Sequence, residues 1–78
     1  MKTFKQFRLR LTKRTGLPSE IASALWQKGV HIQAFLVEIE EKEDIFYLAV
    51  DKAALARETF AENGWRATEE LFTPEEPR

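Results

Sequence analysis

The chain contains no cysteine. Neither a disulfide framework nor thiolate ligation of a metal is therefore available, a pattern that suits a reducing compartment. It has one histidine, His31, so a metal site would have to rest on carboxylates, and neither a metal nor a cofactor is expected. Long apolar runs are also missing. Nothing approaches the roughly 18 apolar residues of a membrane span, and the basic start, residues 1–14, lacks the apolar stretch of a signal peptide. No membrane association is expected, and the default location is the cytoplasm. Nor is there a grouping of residues that forms a reaction centre. The acids of residues 40–44 crowd a turn, whereas paired acids for proton transfer need a sheltered cleft that separates their pKa values. An enzyme is not expected, and no catalytic residue is assigned.

What is present suits one small domain. The chain has 78 residues, 44% of them hydrophobic, 12% aromatic and 32% charged, enough for a single core that gains from further burial against a partner. Residues 1–72 read as the domain. Residues 73–78, with two prolines and two glutamates, read as a short C-terminal tail. The net charge of -1 hides an uneven distribution: residues 1–39 carry seven basic and two acidic groups, residues 40–78 five and eleven. The expected cause is an N-terminal strand lying beside a complementary C-terminal strand, ahead of a basic patch for an anionic ligand or nucleic acid.

Along the chain, Phe7, Leu9 and Leu11 alternate with Arg8, Arg10 and Thr12, which predicts a half-buried strand over residues 3–11. Gly16 and Pro18 then form a turn into a helix whose stripe is Leu17, Ile21, Ala24 and Leu25, flanked by Ala22 and Trp26, with Gly29 as its stop. A second strand over residues 30–39 is apolar on both alternating sets: Val30, Ile32, Ala34 and Leu36 on one face, Phe35, Val37 and Ile39 on the other. Residues 40–44 are a charged hairpin connection without Gly, Asn or Pro. A third strand covers residues 45–50. Asp51 is placed to cap a second helix with Ala53, Ala56 and Phe60 inward, Asn63 and Gly64 end it, and a last strand runs over residues 65–72.

Strand, helix, strand, strand, helix, strand is the order of the split βαβ arrangement. The fold class is thus α+β, a ferredoxin-like βαββαβ sandwich with a four-stranded antiparallel sheet and two helices on one face. The uncovered sheet face is expected to show Phe35, Val37, Ile45 or Tyr47, more than a monomer should leave wet. A homodimer or higher homo-oligomer follows as an expectation.

Gly16 and Leu17, Glu20 to Ala22, Ala24 and Leu25, Gly29 to Ile32, Ala34, Leu48 to Asp51, Ala56, Phe60, and Gly64 with Trp65 carry a resemblance to the ACT domain, a small ligand-sensing module attached to enzymes and regulators of amino-acid metabolism. The resemblance spans residues 4–72. It implies a regulatory role, pairing side by side into a continuous sheet, and an amino-acid effector held where the first loop and helix start of one copy meet the second strand of its neighbour. Carried onto this sequence, the loop is Lys13, Arg14, Thr15, Gly16 and Leu17, and the neighbouring strand supplies His31, Ile32 and Gln33. Lys13 stands where the family usually has Asp or Asn, Thr15 replaces its proline, Pro18 comes later than the family's proline, and His31 takes the asparagine position. Lys13 would repel an effector's ammonium, while Gly16 and the helix start still offer N–H groups to a carboxylate or phosphate. The ligand expected is an amino acid or another small carboxylate or anion, with a regulated protein partner receiving the signal.

Two alternatives stand beside that reading. One is a ligand-free dimerisation or protein-interaction domain. The other is an RNA-binding ferredoxin-like module, suggested by Phe46 and Tyr47 near a basic strand. Adjacent strand residues point to opposite faces, so only one of the two could stack a base, and nucleic acid is not the expected partner.

Overall fold

Alternation and helical spacing translate into six elements in the computed structural model, which describes residues 4–72 and, within its first and last strands, the side chains of residues 6–70. They are β1 (Phe4–Thr12), α1 (Leu17–Gln27), β2 (Ile32–Ile39), β3 (Glu43–Val50), α2 (Ala53–Glu62) and β4 (Ala67–Phe72). The strands form one antiparallel sheet in the order β2-β3-β1-β4. This is the α+β, ferredoxin-like βαββαβ arrangement. The tail assigned to residues 73–78 lies outside the described residues. Among the described residues no helix is long and apolar enough to cross a membrane.

The two helices are held by one stripe each. Leu17, Ile21 and Leu25 of α1 recur every fourth residue and are buried; Ala56 and Phe60 do the same for α2. Both end in the same way. Val30 N–H donates to Leu25 C=O at 3.0 Å and Gly29 N–H to Trp26 C=O at 2.9 Å, and Trp65 and Gly64 repeat the pair onto Phe60 and Ala61 at 2.9 and 3.1 Å. This pair of hydrogen bonds satisfies carbonyls that a helix end leaves open, and it needs a left-handed residue, which Gly29 supplies at φ 79°. The residue that follows each glycine returns to the core, Val30 over Leu25 and Trp65 over Phe60.

The core lies between the helices and Phe7, Leu9, Phe46, Leu48 and Val50 of the two central strands, all but fully buried. Phe60 drops its ring edge-on against Phe7 at 5.1 Å, and Trp65 lies 6.4 Å beyond Phe60. Thr59, also buried, donates its hydroxyl to Leu55 C=O at 2.8 Å and so carries no unmet polar group inside.

One sequence expectation is corrected here. The pairing of β2 with β3 shifts between Ile32 and Ala34, because Gln33 is an extra residue in the ladder. Ile32 therefore shares the helix side with Phe35, Val37 and Ile39, while Ala34 and Leu36 face the uncovered side with Ile45, Tyr47 and Ala49. Phe35 packs inward at 5.9 Å from Phe46 rather than on the open face. Among the described side chains, the cations at the end of β1 and just beyond it find acids in the hairpin between β2 and β3. Arg10 pairs with Glu40 and Glu43, and Lys13 with Asp44, all three acids belonging to the β2–β3 hairpin region. On β4, which lies beside β1, Glu69 reaches Arg57 of α2.

Candidate functional site

The turn from β1 into α1 meets the hairpin between β2 and β3 at one end of the sheet, where Lys13 N–H donates to Lys42 C=O at 3.2 Å. Gly16 turns the chain at φ 78°. Leu17 N–H is already taken by Arg14 C=O at 3.3 Å and Pro18 has none, so the start of α1 offers a ligand fewer N–H groups than a free helix end. A cleft of about 240 Å³ opens beside this turn, lined by Leu11, Thr12, Lys13, Arg14, Leu17 and Trp65. Its floor is apolar and its rim charged.

Both cations of the rim are paired within the chain. Lys13 Nζ lies 2.6 Å from Asp44 Oδ1, and Arg14 donates to Glu20 at 2.6 Å. The two cations line the cleft, and each is held by an acid beside it, Asp44 and Glu20. Of the loop residues named from the sequence, Lys13, Arg14 and Leu17 line the cleft and Thr15 and Gly16 lie in the turn beside it, while Trp65 and the acid Asp44 paired with Lys13 were not named for the site. Only strand register reveals Asp44, which stands opposite Leu11 on β1.

His31 sits just before β2, which runs in the same direction as β1. Ile32 and Lys5 both face Val50, whereas Thr12 and Ile39 lie at the opposite end, facing Glu43 and Asp44. Within one copy, residues 13–17 and residues 31–33 are therefore at opposite ends of the sheet. Asp51, expected to cap α2, turns toward β2 instead. Its Oδ1 accepts from His31 N–H at 2.9 Å, its Oδ2 lies 3.1 Å from His31 Nδ1, and its own N–H donates to His31 C=O at 3.2 Å. On the other side of the imidazole lies the indole of Trp26, with ring centroids 6.2 Å apart. A wide groove of about 500 Å³ follows, lined by Ala22, Ser23, Trp26, Val30, His31 and Ile32.

The hydrogen bond from His31 N–H, opposed by partial desolvation and reinforced by the imidazole, holds the Asp51 carboxyl below its ordinary value. Because the folded state lowers this pKa, the contact stabilises above the ordinary aspartate range and is lost as pH falls below about 4. Asp51→Asn should therefore melt below the parent at neutral pH, and the gap should close on acidification. Thermal melts followed by circular dichroism from about pH 7 to pH 2.5 check this. A gap that stays constant would show that the charge contributes nothing.

On the uncovered sheet face Tyr47 lies opposite Arg8 and Leu36, and Arg10 opposite Ile45. Arg10 is tied to Glu40 and Glu43, and Glu38 and Glu70 share the face, so it lacks the uniform positive charge of a nucleic-acid platform. Among the described residues no three His, Asp or Glu side chains gather in a way that could hold a metal.

The architecture defines the class: a small ferredoxin-like domain with a charged cleft at the end of its first strand. No protein-family model matches the sequence, and no curated protein matches it either. Solved structures do. A protein from Bacteroides thetaiotaomicron superposes with TM-score 0.79 at 16% identity, over 88% of this chain and 48% of that one. The regulatory subunit of aspartate kinase from Thermus thermophilus, in its ligand-free form, gives 0.71 at 14%, over 94% of this chain and 56% of that one. The ACT domain from the GTP pyrophosphokinase of Chlorobium tepidum gives 0.63 at 15%, over 100% and 96%. The chain thus spans about half the length of the first two and nearly all of the third. The fold is that of ACT domains.

Proposed function

We propose that this domain is a regulatory module that binds an amino acid or another small carboxylate between two copies and has no reaction chemistry of its own. Its fold is shared with a regulatory subunit and with an ACT domain. The observation that carries the ligand class is the pairing of Lys13, which lines the cleft, with Asp44 beside it. Lys13 alone would repel an ammonium, but Asp44 beside it returns the acid that the turn lacks. Lys13 and Arg14 can then take a carboxylate while Asp44 takes the ammonium of the same zwitterion.

The outer edge of β2 supports the second half of the reading. Among the described residues its backbone pairs only with β3, and an antiparallel meeting of two such edges brings the start of one β2, residues 31–33, beside the end of the other, where residues 13–17 lie. A ligand bridging the two copies stabilises that arrangement and raises its population, which a regulated protein partner or the assembly itself reads out.

Thermal shift of the intact chain against the twenty amino acids and common small anions tests this. Saturable stabilisation by at least one amino acid is expected, and a flat response over a wide concentration range would overturn it. Asp44→Asn separates the ligand classes. It should weaken amino-acid binding about fivefold, the value of one partly exposed ion pair near 1 kcal/mol, and leave a plain carboxylate unchanged or bound more tightly. A rival role as a ligand-free pairing domain predicts dimer without any such response.

A further inference from the structure

We infer that Asn63 and Gly64, the pair that ends α2, form a self-modification site gated by the fold: Asn63 deamidates only in molecules whose helix end has opened, and the product cannot close that end again. The chemistry is internal to the chain. Gly64 N, as its proton leaves, attacks Asn63 Cγ and closes a five-membered ring; the Cγ–Nδ2 bond breaks and ammonia departs. Water then opens the ring at either carbonyl, which leaves an aspartate or an isoaspartate whose main chain runs through Cβ. A following glycine makes an asparagine reactive, because no Cβ shields the attacking nitrogen and the backbone turns freely. The chain has a single asparagine, and it stands before a glycine.

Both residues are exposed, and a Cβ placed on Gly64 would meet nothing within 4 Å. Burial therefore does not protect the pair; geometry does. Ring closure needs Asn63 Cβ and Gly64 N on the same side of the Cα–C bond. At φ -93° and ψ 3°, Gly64 N instead eclipses the backbone nitrogen of Asn63, away from Cβ. The attacking group is also engaged, since Gly64 N–H donates to Ala61 C=O at 3.1 Å. So is the leaving group, Asn63 Nδ2, which donates to Thr59 C=O at 2.8 Å. Opening of the turn over residues 60–65 releases all of these constraints together.

The other helix shows that the turn itself has no need of asparagine. Lys28 precedes Gly29 at φ -92° and ψ 0°, with the same pair of hydrogen bonds behind it, and a cation there suits the negative end of a helix. Deamidation puts the opposite charge in that place. Aspartate has no amide to give Thr59 C=O and adds a carboxylate next to Glu62 at the helix C-terminus. Isoaspartate lengthens the main chain by one carbon and parts Gly64 and Trp65 from the carbonyls on which they close. Trp65 is a wall of the cleft, so a chain that has reacted here carries an added negative charge and loses part of that wall.

The intact mass and charge of the chain report the reaction, because no second asparagine exists. In neutral buffer the folded chain should deamidate at least about a hundredfold more slowly than the same chain in guanidinium chloride, the ratio being set by the rarity of the open state. Phe60→Ala removes the buried ring that anchors the turn; it should speed the reaction in buffer at least about tenfold and leave the rate in denaturant unchanged. Asn63→Asp should melt below Asn63→Lys, although both lack the amide, and the isoaspartate form, separated by anion exchange, should melt below Asn63→Lys as well. A folded rate equal to the denatured one, or a rate that Phe60→Ala leaves unchanged, overturns the gate. A chain that keeps its amide even in denaturant overturns the site, and equal melting of the aspartate, isoaspartate and lysine forms overturns the failure of the product to close the turn.

Discussion

Phe60→Ala should lower the free energy of unfolding by about 3–5 kcal/mol, because the ring is almost fully buried and its loss removes both transfer free energy and contacts that the neighbours cannot recover. Phe60 links the two halves of the core: its ring meets Phe7 of the central strand on one side and Trp65 on the other. A chain of this length has only about 4–12 kcal/mol in all. The variant should be partly unfolded at room temperature or melt at least about 15 °C below the parent. Urea titration followed by far-ultraviolet circular dichroism checks it, and a loss below about 1 kcal/mol would mean that the core closes over the gap.

Trp65→Ala should cost about 3 kcal/mol or more by the same physics, with a second consequence. Trp65 is 8% exposed. It completes the turn that ends α2, through its N–H to Phe60 C=O at 2.9 Å, and forms one wall of the cleft beside Lys13 and Arg14. Alanine should therefore remove the ligand response as well as stability, whereas Trp65→Phe should keep most of both. Combined with Phe60→Ala the loss should fall short of the sum, since the two rings share their contacts. Strict additivity in the same urea titrations would show that the rings act independently.

Much of the fold was legible in the chain because its signals are local. The α1 stripe of Leu17, Ile21 and Leu25, the stops at Gly29 and Gly64, and the alternation of Phe7, Leu9 and Leu11 each depend on residues within two turns or one strand of one another. The turn that carries residues 13–17 was legible for the same reason, since Gly16 and Pro18 mark a turn wherever they occur together. What went astray was non-local. Asp51 looks like a helix cap in sequence, yet its carboxylate does more by accepting two contacts from His31 across the ladder.

From its sequence alone this protein determines six elements, their order and the residues that face inward along α1 and β1, because periodicity and turn chemistry act over a few residues. The tertiary structure decided the rest. Which acid answers Lys13 depends on β3 lying next to β1, and whether Ile32 faces the helices depends on one extra residue in a hydrogen-bonded ladder. Both are set by pairing between distant segments, where a shift of one position reverses every face and exchanges every charge partner.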